Sequence, residues 1–155
     1  MAMKYLKVFR TKNDIELVEY KPHQDNYLEF IDRNRELKKY QIILNSNFLL
    51  NLAEKFLEKK FSVEKIYIRD NTLINYEDYD MSHINTIEKL AYIKYEVLNF
   101  KDDNFIEIDE LNISDLNFDN DIIIKSNGIV IIEGKNMNAT EEVLLSIIKD
   151  CINIK

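Results

Sequence analysis

The stretch that decides the fold is Asp121-Ile-Ile-Ile-Lys-Ser-Asn-Gly128-Ile-Val-Ile-Ile-Glu133-Gly134-Lys135, and it contains both glycines of the chain. Two apolar runs flank a polar Ser-Asn-Gly tip, a pattern that is typical of a β-hairpin. Such a turn needs a residue with positive φ, and glycine adopts positive φ without a steric penalty. The pattern therefore predicts two antiparallel strands joined through Gly128.

Two registers are compatible with this tip. If Asn127 and Gly128 form a two-residue turn, Glu133 faces Ile122, and Asp121 lies on the other side of the sheet. If Ser126, Asn127 and Gly128 form a three-residue loop, Asp121 lies directly opposite Glu133. Both turns tolerate Asn-Gly, so the sequence leaves both open. Gly134 lies outside the turn, and we expect no conformational demand on it unless something approaches the strand closely.

The other periodic segments predict an α+β fold. Residues 4–9 and 15–20 form one candidate hairpin, and residues 65–69 and 72–76 form another around a two-residue Asp70-Asn71 turn. Apolar residues at helical spacing predict helices after Pro22, after a cap at Ser46 or Asn47, after Asn85 and after Asn138. We expect residues 1–155 to form a single globular α+β domain, with mostly antiparallel hairpins packed against three or four helices.

The composition bounds the class of protein. The chain has 155 residues, 46% of them hydrophobic, which is enough for one domain with a substantial core. A single cysteine excludes an internal disulfide, and neither a signal segment nor a membrane span is visible. We expect a cytoplasmic protein. Abundant Asn, Ile and Lys with scarce Gly and Pro indicate an AT-rich coding sequence, from a low-GC bacterium or its phage.

The net charge of −7 is unevenly distributed along the chain. Residues 1–65 carry +3 and residues 66–155 carry −10, and the segment 102–121 contains eight acids and no base. Such a surface repels nucleic acid and attracts a basic partner. Seven of these acids are the predicted partner-binding residues: Asp102, Asp103, Glu107, Asp109, Glu110, Asp115 and Asp119.

The leading hypothesis is therefore a non-enzymatic binding protein of the inhibitor, immunity or regulatory type, which needs no cofactor. It would use an acidic surface that also bears tyrosines, and its partner would be a basic protein. The segment 102–121 could imitate the charge of a nucleic acid toward a nucleic-acid-binding protein. Tyrosine among acids suits a protein-binding rim, and four tyrosines lie in such surroundings: Tyr67, Tyr76, Tyr79 and Tyr92. The oligomeric state is left open.

The alternative hypothesis is an enzyme. In the second register, Asp121 lies opposite Glu133, with Lys135 two residues further along. This layout resembles the PD-(D/E)XK nuclease superfamily, in which an acid on one strand and Glu-x-Lys on the next bind a divalent metal. The resemblance implies that Asp121 and Glu133 bind Mg²⁺ or Mn²⁺, and that Lys135 helps to position the attacking water. Gly134 would let the substrate approach the backbone.

The remaining candidate groups indicate structural roles. His23 and His83 have no Cys or His at metal-ligand spacing, so solvated or capping roles are expected. Cys151 continues the apolar face of the last helix, which predicts a buried and unreactive thiol. Two glycines in the whole chain exclude a phosphate-binding loop and a dinucleotide fingerprint.

Overall fold

The computed structural model describes residues 2–70, 75–84, 90–91 and 106–152, with the backbone alone for 68–70, 75–84 and 106–107. Its elements in chain order are β1 Met3–Arg10, β2 Ile15–Tyr20, α1 Tyr27–Glu36, β3 Tyr40–Gln41, α2 Ser46–Glu58, β4 Ser62–Asp70, β5 Asn75–Ile84, β6 Ile106–Asp115, β7 Asn120–Lys125, β8 Ile129–Glu133 and α3 Met137–Ile152. The helices and the antiparallel strand pairs confirm the predicted α+β class.

The strands form one antiparallel sheet in the order β2-β1-β8-β7-β6-β4-β5. The short strand β3 pairs with the end of β1, through Phe9 with Gln41 and Arg10 with Tyr40. Adjacent hairpins account for four of the pairings, β1–β2, β4–β5, β6–β7 and β7–β8. The β1–β8 and β4–β6 pairings join segments that are far apart in the sequence, and they unite the hairpins into one sheet.

One face of the sheet, which we call the covered face, packs against α2 and α3. Alternate residues of the central strands point to this side, as the two-residue period of a strand requires. The apolar side chains of α2 and α3 meet them at helical spacing. The main residues of this core are Leu6, Val8, Ile66, Leu111, Ile113, Ile122, Ile124, Val130 and Ile132 from the sheet, and Leu49, Leu52, Ala53, Phe56, Leu144, Ile147 and Ile148 from the helices.

The opposite face is only partly covered. Helix α1 packs over β1 and β2, where the Phe9 and Phe30 rings meet edge to face with centroids 5.7 Å apart. Beyond α1, the side chains of β6, β7 and β8 on this side are half-buried or exposed, and no described helix packs over them. We call this part of the sheet the open face. It carries Lys65, Asn112, Ser114, Asp121, Ile123, Ile131 and Glu133.

The helix ends follow the expected capping chemistry at slightly different positions. Asn26 caps α1 by accepting hydrogen bonds from the backbone of Leu28 and Glu29. The side chain of Asn45 caps α2 by accepting a hydrogen bond from Phe48 N, whereas the sequence predicts a cap at Ser46 or Asn47, one or two residues later. Ser46 instead accepts a hydrogen bond from Ile108 N of β6 at 2.9 Å. The helical spacing of the apolar residues after Pro22 also places Leu37 on the apolar side of that helix, but Leu37 lies just beyond α1 and is 67% exposed.

Both α1 and α2 end in a Schellman motif whose left-handed residue is a lysine. After α2, Lys60 has φ +66, and Phe61 N donates to Phe56 O at 2.9 Å. After α1, Lys38 has φ +63, and Lys39 N donates to Asn34 O at 2.8 Å. Glycine is the usual residue here because it has no Cβ to clash. Lys38 and Lys60 therefore carry backbone strain that a glycine at the same position would avoid.

Some predicted elements differ from the structure. The β4–β5 hairpin pairs Asp70 with Asn75, so Asp70 belongs to a strand and the predicted two-residue Asp70-Asn71 turn is wrong. The apolar residues at 105–108 and at 111–113 predict two short strands. The structure instead has one strand, β6, which runs from Ile106 to Asp115 and is paired on both sides. The helix predicted after Asn85 falls mostly outside the described residues, although Leu90 is helical and buried.

Lys7 is the largest departure from the expected strand pattern, because its side chain is 0% exposed. Its Nζ donates a hydrogen bond to Asn127 O at the tip of the β7–β8 hairpin. The same Nζ lies 5.6 Å from the centroid of the Tyr27 ring, within cation–π range. Lys7 therefore connects the hairpin tip, β1 and α1 at one buried point.

Candidate functional site

The structure decides between the two registers of the β7–β8 hairpin. Asp121 pairs with Glu133 and Ile122 with Ile132, which is the register of a three-residue loop. Gly128 has φ +87, and its N–H donates to Lys125 O at 3.0 Å. A Cβ on Gly128 would also lie 3.0 Å from Ile42 O, so close packing adds to the conformational demand. The predicted positive φ of Gly128 is confirmed.

This register places two carboxylates side by side on the open face. Directly paired residues of antiparallel strands have Cβ atoms about 4.5–5.5 Å apart. Asp121 is exposed and Glu133 is half-buried. Ser114 Oγ donates a hydrogen bond to Asp121 Oδ1 at 2.9 Å. Neither carboxylate forms an ion pair with any described residue.

A shallow groove of about 320 Å³ runs beside this pair. Its lining combines three carboxylates, one ammonium group and the apolar side chain of Ile123. It is formed by Glu64, Lys65, Asn112, Ile113, Ser114, Asp121, Ile122, Ile123 and Glu133. Asn112 Oδ1 is buried and has no hydrogen-bond partner among the residues that the structure describes. The groove therefore offers acceptor oxygens above an apolar strand surface, an arrangement that suits a cationic ligand.

Lys135 does not join this pair. Strand β8 ends at Glu133, and Gly134 has φ +149. Lys135 N then donates to Asn120 Oδ1 at 3.0 Å, on the covered side of the sheet, and Lys135 is not among the residues that line the groove. The structure thus brings together Asp121 and Glu133 but not the third residue that the nuclease resemblance requires.

The described side chains around the groove also do not form a complete set of metal ligands. No group of three or more His, Cys, Asp or Glu side chains that could hold a metal ion occurs among the residues that the structure describes. Glu64 lines the same groove, but its carboxylate accepts a hydrogen bond from Ser62 Oγ at 2.8 Å. Two carboxylates with one serine hydroxyl form a weak set for a divalent cation, which usually takes six or more oxygen ligands.

The predicted partner-binding acids do not share one surface. Asp115 is removed from that set, because its side chain is 1% exposed and lies on the covered face. Its carboxylate accepts hydrogen bonds from Thr140 Oγ1 at 2.7 Å and from Asn117 N at 3.0 Å. Thr140 Oγ1 in turn accepts from Asn120 Nδ2 at 2.7 Å. Asp115 therefore anchors the start of α3 to the β6–β7 turn.

The other predicted acids lie at separate places along β6. Asp109 and Glu110 are half-buried beside a bulge opposite Tyr67. Burial raises the pKa of Glu110, while Lys125 opposes this shift. Asp119 is exposed in the β6–β7 turn, roughly 17 Å further along at about 3.3 Å per strand residue. The side chain of Glu107, and all of Asp102 and Asp103, lie outside the described residues.

The remaining candidate residues are the two histidines and the single cysteine. His23 is exposed, and the side chain of His83 lies outside the described part of the structure. Cys151 is 7% exposed and packs in the core, as predicted. Burial raises the pKa of Cys151 to about 11, with a smaller opposing effect from Lys55. A neutral, enclosed thiol of this kind is a poor nucleophile.

Sequence reasoning missed four polar groove residues, Glu64, Lys65, Asn112 and Ser114. They reach the Asp121–Glu133 pair only because β4 pairs with β6 and β6 pairs with β7. The β6–β7 hairpin could have been found from the turn at 116–119. The β4–β6 pairing joins segments about forty residues apart, and no local pattern signals it.

Comparison with family models, curated proteins and solved structures returned no significant match for this chain. Among the described residues, no helix combines the length and the apolar character that crossing a bilayer requires. The geometry of the groove and the distribution of charge are therefore the features from which a function can be inferred.

Proposed function

We propose that this chain is a small cytoplasmic binding protein of the inhibitory or regulatory type, and that it engages a basic protein partner through the open face. The observation that carries the proposal is the Asp121–Glu133 pair. Like charges directly opposite each other on neighbouring strands are destabilising, and neither carboxylate is ion-paired with a described residue. A lysine or arginine of the partner, placed between the two carboxylates, would remove this repulsion.

The surroundings favour a side-chain cation over a metal ion. The described residues supply no third carboxylate or imidazole close enough for a metal. Ile123 and the half-buried Ile131 present apolar surface beside the pair. The methylene stem of a lysine or arginine can lie on such a surface while its charged end reaches the carboxylates. The acids Asp109, Glu110 and Asp119 would add a longer-range attraction that accelerates association.

The test compares two double variants with the same change in net charge. Asp121→Asn with Glu133→Gln removes the paired carboxylates. Glu36→Gln with Glu142→Gln removes two exposed acids from α1 and α3. Binding of a fluorescein-labelled oligo-arginine peptide is measured by anisotropy at low salt. We expect the first variant to bind about tenfold more weakly or worse and the control to change by less than about twofold, because the paired charges act at contact distance.

Stability provides the independent readout in this test. Removing two repelling carboxylates should leave the free energy of unfolding unchanged or raise it by a few tenths of a kcal/mol up to about 1 kcal/mol. A weaker-binding variant that is as stable as the parent supports the proposal. Equal weakening in both double variants would show that only the overall negative charge attracts the peptide, and the open face would lose its role.

A second function, a metal-dependent nuclease, is favoured by one observation, the Asp121–Glu133 register. Its test incubates the protein with single- and double-stranded DNA and RNA, with and without Mg²⁺ or Mn²⁺. Metal-dependent cleavage that disappears in Glu133→Gln would replace the binding proposal. Cleavage that persists in Glu133→Gln would point to a contaminating enzyme, and absence of cleavage on all four substrates would remove the nuclease hypothesis.

A further inference from the structure

A second groove, which we call the basic groove, lies at the opposite end of β1 from the Asp121–Glu133 pair. It is formed where the β1–β2 turn meets the loop after α1 and the start of β3. Its volume is about 380 Å³, and its lining residues are Arg10, Thr11, Lys12, Lys38 and Tyr40. Three of these five side chains are cationic and none is acidic, in a chain whose net charge is −7.

The three cations of the basic groove are not neutralised by neighbouring acids. The other basic residues nearby are paired: Lys39 with Glu16 at 2.8 Å, Arg33 with Asp25 at 3.2 Å, and Arg35 with Asp32. Arg10, Lys12 and Lys38 are exposed, and none of them forms an ion pair with a described residue. The groove therefore gathers three cations that no described acid pairs with, and such a cluster can attract an anion.

Tyr40 adds an aromatic surface to these charges. Its side chain is 47% exposed, so much of the ring faces solvent. Strand pairing places Tyr40 directly beside Arg10, and side chains of paired residues leave the same side of a sheet. An exposed ring next to a guanidinium group is the combination on which nucleic-acid bases stack while their phosphates bind the cations.

We propose that the basic groove binds a nucleotide unit, with its phosphate held by Arg10, Lys12 and Lys38 and its base stacked on Tyr40. The ligand is a free nucleotide or one nucleotide of a single strand. Double-stranded DNA is disfavoured, because tight duplex binding uses many phosphate contacts, whereas the groove supplies three cations on an acidic molecule. This site is separate from the Asp121–Glu133 groove and independent of the function proposed for it.

The first experiment measures the affinity for a short fluorescein-labelled oligothymidylate by anisotropy at low salt. Lys12→Gln with Lys38→Gln removes two groove cations, whereas Lys21→Gln with Lys59→Gln removes two exposed cations outside the groove. We expect a loss of about tenfold or more for the groove variant and less than about twofold for the control. Tyr40→Leu should also weaken binding, because it removes the stacking surface and no charge. An equal loss in both lysine variants, or no binding by the parent protein, would overturn the proposal.

The second experiment identifies the source of the ligand by competition. A 5′-mononucleotide that displaces the labelled strand at comparable concentration would assign the site to a free nucleotide. Displacement by unlabelled oligothymidylate alone would assign the site to one nucleotide of a strand. The slope of log affinity against log salt should then be roughly −0.7 if the three cations hold one phosphate, and roughly −2 if each cation neutralises a phosphate of its own. Inorganic phosphate that competes as well as the nucleotide would overturn the assignment, because the base would then contribute nothing.

A third measurement keeps the proposal testable if a lysine variant fails to fold. Titration of the ¹⁵N-labelled parent protein with the mononucleotide should shift the backbone amide signals of Arg10, Thr11, Lys12, Lys38 and Tyr40. Shifts confined to other residues would place the ligand elsewhere and overturn the proposal.

Discussion

Gly134 directly follows β8 and lies against the buried side chain of Asn120. Its φ is +149, and a Cβ there would lie 1.8 Å from Asn120 Oδ1 and 2.7 Å from Asn120 Cγ. Asn120 cannot move aside freely, because its amide bonds Thr140 Oγ1, Asn136 O and Lys135 N. In the nuclease resemblance, Gly134 would let a substrate approach the backbone. In the structure, the side chain of Asn120 makes this close approach instead.

We therefore expect Gly134→Ala to lower the free energy of unfolding by about 2 kcal/mol or more, since it adds backbone strain and a steric clash. Urea denaturation measures the change. Lys135→Ala, at the next and exposed position, is the control and should stay within about 0.5 kcal/mol. If Gly134→Ala is as stable as the parent, the Asn120 network must rearrange at little cost.

The buried thiol of Cys151 leads to a prediction about how its reactivity and the stability of the protein depend on pH. Burial raises its pKa to about 11 from 9.0, so at pH 8 only about one thiol in a thousand is ionised in the folded protein. A disulfide reagent should react with it slowly in buffer and at least about a hundredfold faster in denaturant. Because the folded state holds the proton more tightly, the contribution of this thiol to stability is present below pH 9 and is lost as the pH rises toward 11.

At the scale of elements, the C-terminus of α2 offers a stabilising change. Lys60 has φ +66, which costs an L-residue roughly 1–2 kcal/mol relative to the right-handed region. We expect Lys60→Gly to raise the free energy of unfolding by about 0.5–1 kcal/mol, after the larger backbone entropy of glycine in the unfolded chain is counted. Lys59→Gly is the matched control, because Lys59 has φ −91. That control should be destabilising, and a gain at both positions would rule out the conformational explanation.

The start of α3 depends on a buried polar network of Asp115, Asn120 and Thr140. Thr140→Val keeps the shape of the side chain but removes the hydroxyl that bonds both neighbours. We expect a loss of about 1–3 kcal/mol, since Asp115 and Asn120 would each retain a buried group without its partner. Thr140→Ser restores the hydroxyl and should recover most of the loss. Thermal unfolding of the three proteins distinguishes a hydrogen-bond effect, with Ser above Val, from a packing effect, with Val above Ser.

Local pattern was sufficient for most elements of this fold. The turn chemistry of Gly128 and the spacing of the apolar residues in α2 and α3 predicted the hairpin and the helices, because both signals arise within a few residues. The same reasoning failed for Asp115, which looked like one more solvated acid in an acidic run. Its burial depends on Thr140, twenty-five residues later, and on the position of α3 over the sheet.

The candidate site was predictable only in part for the same physical reason. The sequence contained the Asp121–Glu133 pair as one of two registers, and the turn alone could not choose between them. Val8 N and Leu44 N donate to Gly128 O and Ser126 O, at 2.9 and 2.8 Å, and thereby attach the hairpin tip to β1 and to the segment before α2. These contacts depend on the assembled sheet, which composition and periodicity do not encode locally.

At the scale of the whole molecule, the charge distribution separates two surfaces. The acidic pair lies near the end of β8, and the basic groove lies at the tip of the β1–β2 hairpin. The sequence showed this asymmetry as +3 over residues 1–65 and −10 over residues 66–155. The fold places each charge type around its own groove, so ligands of opposite charge could bind without competing. Oligo-arginine and oligothymidylate should therefore bind the same molecule together at low salt, provided that the two probes are added at concentrations too low to pair with each other.

The enclosure of Lys7 turns this side chain into a chemical reporter of folding. An amine reacts with an acylating reagent only when the reagent can reach it, and Lys7 has 0% of its surface exposed, whereas Lys12 and Lys38 are exposed. Peptide mass spectrometry of the acylated protein should find the two exposed lysines modified early and Lys7 modified last. Because Lys7 joins the hairpin tip to β1 and α1, its labelling rate should follow the opening of the whole sheet. Acylation of Lys7 as fast as of Lys12 would show that the N-terminal strand detaches on its own.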